Sequence, residues 1–253
     1  MARQGLDRFK PQTAVVDAVE PSTFSAEYRY APSTGTIDLR VLELLSARLC
    51  HELSGPIAAI NNGVELLADE DAGLGSPPDP VFLHDAVALV SESARRARFR
   101  LQFYRFAYGF SSGSVIAGPA PHEIAMSFLA AANIIGDYAE GIRMLSPDWQ
   151  KLACNLLSVG VDALPRGGRL ILTDDPLGLE AVGEPAALSA EAREALMLVT
   201  PIADLTARTV QPYFTGLLAK ALGRSLIATA EPGRVRLGLV FPGKGPGLAH
   251  SGR

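Results

Sequence analysis

A chain of 253 residues, 48% of them hydrophobic, carries enough apolar surface for a core and is long enough for two modest domains. Its net charge of -4, with no basic run longer than the one at residues 95–100, argues against a nucleic-acid partner. The two cysteines, Cys50 and Cys154, both fall in apolar helical patterns, which argues against a disulfide framework or a metal site. No apolar run approaches the roughly 18 residues that span a bilayer, and the N-terminus lacks a signal-peptide core, so we expect a cytoplasmic protein without membrane contact.

Residues 1–35 are rich in proline, serine, threonine and charge without a sustained period, which is typical of a disordered leader. A helix is predicted to follow, capped by Thr36 or Asp38 and ending near Asp69. Its apolar residues recur every three or four positions as one continuous stripe, formed by Leu42, Leu45, Leu49, Leu53, Pro56, Ile60, Val64 and Leu67.

His51 lies away from this stripe. At about 100° per residue it is placed roughly 200° from Leu49, so its imidazole should project from the solvent side of the helix. Most surface histidines have no function, and His84 and His122 also precede an acidic residue. What singles out His51 is the long stripe around it together with Pro56, which removes a backbone hydrogen bond and should bend the helix one turn later.

A glycine- and proline-rich turn at Asp71–Pro80 leads to a second predicted helix, Pro80–Tyr108. The stripe of this helix is Ala86, Val90, Ala97, Leu101, Tyr104 and Tyr108. Two long helices joined by a turn form a hairpin that buries only one side, so the remaining apolar surface calls for a second copy of the chain. The sequence therefore predicts a homodimer built on a four-helix bundle, followed by a linker at residues 111–121.

Beyond this linker the pattern changes to a mixture of helices and strands, which is typical of an α/β sandwich. Helices are predicted at His122–Asn133, Pro147–Leu164, Ala190–Leu198 and Thr206–Leu222, and strands at Arg169–Thr173, Ser225–Ala230 and Arg234–Phe241. The predicted fold class is α+β. Its segments are the leader at 1–35, the helical-hairpin dimerisation domain at 36–110, the α/β domain at 119–242 and a disordered tail at 243–253.

Four blocks of the sequence carry a resemblance to a known family: Cys50–Glu52 with Pro56 and the run Asn62–Leu67, then Arg100–Gly109, Asn155–Gly168 and Val210–Ala219. The first block resembles the phospho-acceptor helix of ChpT-type histidine phosphotransferases and, more distantly, the dimerisation helix of sensor histidine kinases. The other three follow in the order of that family, so the likeness spans roughly Leu39 to Phe241. It departs at Ser54-Gly55, where the family pattern has Ile-Ser.

The resemblance implies a dimeric four-helix bundle flanked by two domains shaped like the ATPase domain of histidine kinases. It implies that His51 accepts a phosphoryl group from the receiver-domain aspartate of a hybrid histidine kinase and passes it to the receiver domains of response regulators. We expect Glu52 to orient an imidazole or to pair with Arg48, four residues before it.

Docking of the receiver is assigned to the exposed flank of the first helix, where Ser54, Ala58 and Asn62 lie one turn apart. Arg48, or an arginine of the series 95–105, is a further candidate because a cation can steer the acidic pocket of a receiver.

The predicted ATPase-like domain is degenerate. A kinase helix that reads Asn-Leu-Leu-Ser-Asn-Ala holds magnesium with its second Asn, but this chain has Val159 there, and a hydrocarbon cannot bind a hard cation. Where kinases carry Asp-x-Gly-x-Gly for adenine, the chain has Val182-Gly183-Glu184-Pro185. We therefore expect no intrinsic cofactor or metal, and Mg²⁺ supplied by the receiver partner.

Two alternatives stay open at this point. One is the core of an ATP-dependent sensor histidine kinase, which micromolar affinity for ATP would support. The other is a non-catalytic dimeric scaffold that binds receivers without accepting phosphate, in which His51 would have no chemical role.

Overall fold

The structure is a computed structural model that describes residues 37–72, 80–109 and 119–241. The predicted leader at 1–35, most of the linker at 111–121 and the tail at 243–253 lie outside the described residues. All described residues belong to one compact unit, Pro32–Arg253, and the boundary between the hairpin and the α/β domain stays a prediction. None of the described helices has both the length and the hydropathy that a bilayer-spanning segment needs.

Two long helices begin the described chain. Helix α1 spans Leu39–Ala72 and helix α2 spans Pro80–Tyr108, so both predicted helices of the hairpin are confirmed. The Asp38 side chain caps α1, because its Oδ1 accepts a hydrogen bond from the backbone N–H of Arg40 at 2.8 Å. Helix α1 then continues through Pro56.

The face of the hairpin that is buried within one chain overlaps the predicted stripes only in part. Its positions on α1 include Val41, Leu44, Leu45, Arg48 and Gly63. Leu42 and Val64 of the predicted α1 stripe are 50% and 51% exposed, and Leu101 of the α2 stripe is 53% exposed. The predicted stripes are therefore only partly buried within one chain, since apolar side chains occupy two faces of the hairpin and only one of these faces packs inside the chain.

The rest of the described chain is a sandwich of helices on a mixed sheet, which confirms the predicted fold class. The helices are α3 (Pro121–Ala131), α4 (Pro147–Asp162), α5 (Ala190–Leu196) and α6 (Val210–Ala221), and the strands are β1 (Ile134–Tyr138), β2 (Gly168–Asp174), β3 (Leu177–Val182), β4 (Ser225–Glu231) and β5 (Arg234–Val240). The strand order is β1-β2-β3-β5-β4; β1 and β2 are parallel, and the other neighbours are antiparallel.

Two of these strands, β1 and β3, are not predicted by the sequence. Strand β1 contains Gly136 and Asp137, and β3 contains Gly178 and Glu180, residue types that are depleted in strands. Both strands form because their neighbours supply the ladder: β1 pairs along its whole length with β2, and β3 lies between β2 and β5. Pairing between distant segments thus overrides their weak local preference.

The core of the sandwich also contains part of the hairpin. On the sheet, alternate residues such as Leu170 and Leu172 point inward and are buried. Helix α2 contributes Phe103, whose ring stacks on that of Phe128 in α3 with 3.8 Å between the centroids. The end of α2 is therefore packed into the same core as the sheet.

A second, smaller cluster fixes the beginning of α1. Val41, Leu44 and Leu45 pack with Val210 and Tyr213 of α6. Complete burial of an apolar side chain of this size contributes about 1.5–3 kcal/mol to the free energy of unfolding. The first turns of α1 are therefore attached to the α/β domain immediately before His51 is reached.

Candidate active site

Helix α1 carries His51 on its solvent side. The side chain is exposed, as the spacing of the apolar residues predicts. Its neighbours Arg48 and Glu52 are buried and half-buried, respectively, so they extend toward the protein interior. Another protein can therefore reach the imidazole, while the turn that carries it is held from the inside.

Glu52 is held by Arg100 of α2. The Nη1 atom of Arg100 donates to the Glu52 carboxylate Oε2 at 2.9 Å and to the main-chain carbonyl oxygen of the same residue at 2.6 Å. The prediction that Glu52 pairs with Arg48 is wrong, because Arg48 turns to a different partner. The role of Glu52 in orienting an imidazole stays a prediction.

Arg48 binds Asp162, the last residue of α4. Its side chain is 9% exposed, and Nη2 donates to Oδ1 and Oδ2 of Asp162 at 2.9 and 2.8 Å. This ion pair ties α1 to the α/β domain one turn before His51. Because the guanidinium of Arg48 points inward, the geometry of the chain does not support the predicted role of Arg48 in docking a receiver.

A buried phenol lies close to both ion pairs. Burial raises the pKa of Tyr104, and the nearby Glu52 carboxylate adds to that effect. The phenol is therefore neutral at physiological pH, and the two arginines are the cations that balance Glu52 and Asp162.

The predicted docking residues lie on the same face as His51. Positions 51, 54, 58 and 62 fall within about 80° of one another on a helix with about 100° per residue. Ser54, Ala58 and Asn62 are all exposed, and Ser54 Oγ donates to the carbonyl oxygen of Cys50 at 2.7 Å. The Ser54 hydroxyl is thus bonded to the backbone of its own helix. The contact of this face with a receiver stays a prediction.

Val159, at the position where the resemblance places the magnesium-binding Asn of kinases, is 1% exposed at the edge of a cleft of about 500 Å³. The described lining residues are Arg48, Val159, Asp162, Ala187, Leu188, Ser189, Ala192, Arg208 and Pro212. Among these, only Asp162 offers a carboxylate, and Arg48 already neutralises it. The cleft therefore provides few of the oxygen ligands that a magnesium–triphosphate complex requires.

Asn155 is the first Asn of the same helical run, and it is used for packing. It is fully buried, and its Nδ2 donates to the carbonyl oxygens of Ala107 and Lys151 at 2.9 and 2.8 Å. Its Oδ1 accepts a hydrogen bond from Gln211 Nε2 at 3.0 Å. The Tyr108 hydroxyl donates to Gln211 Oε1, and burial raises the pKa of Tyr108 to about 12, which keeps that donor protonated. This network joins α4 to α2 and α6.

The sequence does not identify Asp162 and Gln211 as site residues, and it offers Arg100 only as one of the arginines 95–105 that could steer a receiver, not as the partner of Glu52. Pro56 implies that the carbonyl oxygen of Glu52 needs a donor from elsewhere, but it does not say which residue supplies one. No signal in the sequence points to Asp162, because its partnership with Arg48 depends on how α4 packs against α1.

Comparison with known proteins finds relatives that cover most of the chain. Protein phosphotransferase ChpT of Brucella abortus (strain 2308) is 35% identical over 206 residues, which are 74% of this chain and 90% of that protein. The chain belongs to the ChpT family. The family model of the histidine phosphotransferase C-terminal domain matches residues 138–233 of this ChpT family member. A solved structure of a bacterial phosphotransferase aligns with a TM-score of 0.64 at 29% identity, covering 82% of this chain and 99% of that chain.

Membership of the ChpT family makes the chain a histidine phosphotransferase of a phosphorelay. The fold agrees with this, since a helical hairpin precedes a five-stranded α/β domain.

Proposed function

We propose that this ChpT family member carries the phosphoryl group on His51. Phosphate arrives from the receiver aspartate of a hybrid histidine kinase and leaves to the receiver domains of response regulators. The observation that supports the assignment is an exposed imidazole on a helical turn that Arg100 and Asp162 hold from the inside. The predicted cytoplasmic location agrees with such partners and stays a prediction.

The chemistry requires the neutral imidazole. One ring nitrogen of His51 attacks the phosphorus of the aspartyl phosphate in line, so that an N–P bond forms as the P–O bond to aspartate breaks. The aspartate leaves as a carboxylate, and the second ring nitrogen, which faces solvent, releases its proton to water. The reverse step delivers the phosphoryl group to the next receiver. The receiver supplies Mg²⁺, so this chain needs no cofactor or metal of its own.

The docking surface that we propose is the face of α1 formed by Ser54, Ala58 and Asn62. Small and polar side chains there leave room for a receiver helix to approach His51 closely. Arg48 is not part of this surface, because its guanidinium is buried against Asp162.

We propose further that two chains form a four-helix bundle through the open apolar face of the hairpin. On α1 this open face includes Leu42, Ile57 and Val64, which are 50%, 49% and 51% exposed. On α2 it includes Val87 and Leu101, which are 51% and 53% exposed. Apolar side chains at this spacing on two long helices are typical of a bundle interface.

The ATP-dependent kinase is the weaker alternative. Val159 and the engagement of Asp162 by Arg48 leave the cleft on the α/β domain poor in ligands for a metal–nucleotide complex. A titration that showed micromolar ATP affinity would favour it.

The test is phosphotransfer from a phosphorylated receiver domain to variants of this chain. Wild type is expected to gain acid-labile, base-stable phosphate, and His51→Asn (H51N) to gain none, because the nucleophile is lost. His84→Asn is the matched control: it changes an exposed histidine that also precedes an acid, and it is expected to transfer like wild type. Label on H51N would show that the acceptor is another residue, and no label on wild type would favour the scaffold.

A further inference from the structure

Pro56 creates an unpaired acceptor in the turn that carries His51. In an α-helix the N–H of residue 56 would donate to the carbonyl oxygen of residue 52, but proline has no N–H. The carbonyl oxygen of Glu52 therefore loses its donor within the helix. A helical carbonyl without a partner has to find one in a side chain or in water.

Arg100 supplies that missing donor. Its Nη1 atom lies 2.6 Å from the carbonyl oxygen of Glu52 and 2.9 Å from the carboxylate Oε2 of the same residue. One nitrogen thus holds both the backbone and the side chain of the residue next to His51. The ion pair is sheltered, since the Arg100 and Glu52 side chains are 30% and 23% exposed.

The other arginines of α2 make contacts of a different kind. Arg95 and Arg96 pair with Glu92 one turn away on the same helix, and their side chains are 60% and 47% exposed. Ion pairs of this type on a helix surface contribute little to the stability of the fold. Among the arginines of α2 whose contacts are described, Arg100 is the one that reaches the backbone of α1.

We propose that Arg100 is a positioning residue for phosphotransfer. Its guanidinium replaces the backbone hydrogen bond that Pro56 removes, and so it fixes the turn of α1 on which His51 and Glu52 stand. The proposal rests on the proposed role of His51 as the acceptor. It differs from the expectation that an arginine of this series steers the receiver, because Arg100 is directed at Glu52 and not at a partner.

The contribution of Arg100 to geometry can be isolated by a double-mutant cycle. Pro56→Ala restores an N–H at residue 56, which can then donate to the Glu52 carbonyl oxygen without Arg100. Arg100→Met is expected to lower the urea midpoint of unfolding in the wild-type background and to lower it clearly less in the Pro56→Ala background. Equal shifts in the two backgrounds would show that Arg100 does not compensate for proline, and the proposal would be wrong.

The contribution to transfer is measured in single turnovers at varied receiver concentration. Arg100→Met is expected to lower the rate constant at saturating receiver by about 10- to 100-fold, because a small misplacement of a reacting group has costs of this size. The half-saturating receiver concentration is expected to stay the same. Arg100→Lys keeps one cationic donor and is expected to recover most of the rate. Arg169→Met, which removes an exposed ion pair with Asp137 on the sheet, outside the arginine series 95–105, is the matched control and should transfer like wild type.

Other outcomes overturn the proposal. A higher half-saturating concentration with an unchanged rate constant would mean that Arg100 docks the receiver. Wild-type kinetics for Arg100→Met would mean that the hydrogen bonds of Arg100 do not matter for transfer. If Arg100→Met does not fold, the Lys variant and Arg100→Gln carry the same comparison, and a Gln variant as fast as wild type would equally exclude a positioning role for the guanidinium.

Failure of the proposed function gives a different result. Transfer by H51N would remove His51 as the acceptor, while the coupling between Pro56 and Arg100 in unfolding would be unaffected. Loss of that coupling with a fully inactive H51N would leave the acceptor in place and remove only Arg100 from the account.

Discussion

Cys154 lies in the middle of α4 and has no contact with solvent. Burial raises the pKa of its thiol to about 12, so at pH 8 far less of it is thiolate than of a free cysteine. We predict that Cys154 in a Cys50→Ser variant does not react with Ellman's reagent until the protein is unfolded in urea. In the unfolded protein, labelling of Cys154 should become faster as the pH rises, since the thiolate is the reactive form. Rapid labelling of the native variant at pH 8 would contradict the buried position of Cys154.

At the scale of single residues, the sequence predicts the side of a helix on which a side chain lies better than it predicts the residue with which that side chain pairs. The exposure of His51 follows from the period of the helix, because about 100° per residue sets the side on which each residue lies. The ion pairs of Glu52 and Arg48 could not be predicted, because their partners lie 48 and 114 positions away. Such pairs depend on which helices pack together. The local expectation that Glu52 pairs with Arg48 is wrong for this reason.

At the scale of elements, both long helices could be predicted because each has a sustained apolar period. Strands β1 and β3 could not, since glycine and acidic residues weaken their local signal and only pairing with β2 and β5 forms them. Which residues of the two stripes pack within one chain could not be predicted, because the apolar period of a bundle helix is the same for contacts inside the chain and for contacts with a second copy.

The contact between the two helices of the hairpin depends on Gly63. A Cβ atom at this position would lie 2.5 Å from Cγ2 of Val90, so a larger side chain has to displace the Val90 side chain or the whole of α2. We predict that Gly63→Leu lowers the free energy of unfolding by about 1–3 kcal/mol, the usual cost of overpacking. Urea denaturation measures it. Asn61→Leu is the control on the same helix: the residue is exposed, and its replacement should change stability by less than about 0.5 kcal/mol. Equal stabilities of the two variants would argue against this packing.

At the scale of the whole molecule, the hairpin has two apolar faces. One apolar face packs on the α/β domain through Val41 and Phe103, and the other carries Val64 and Leu101 in contact with solvent. The first contact orients the turn that carries His51 relative to the α/β domain. The second is the face that the proposed four-helix bundle would bury.

We predict that Val64→Glu combined with Leu101→Glu converts a dimer into a monomer. Two charges per chain would be buried in the bundle, and buried charges without partners are costly. Light scattering coupled to size-exclusion chromatography measures the mass. Val199→Glu is the control, because Val199 is 65% exposed on the α/β domain, outside the hairpin. A monomeric wild type, or a double variant that stays dimeric, would rule out the proposed interface.

The position of the phosphoryl group on His51 is tested by locating the phosphate on the chain. The wild-type chain would be mixed with a phosphorylated receiver domain, digested at neutral pH and analysed by electron-transfer fragmentation, which keeps the N–P bond. We expect one phosphoryl group on the imidazole of His51. Phosphate on a different side chain, or a fully phosphorylated receiver that transfers nothing to this chain, would contradict it.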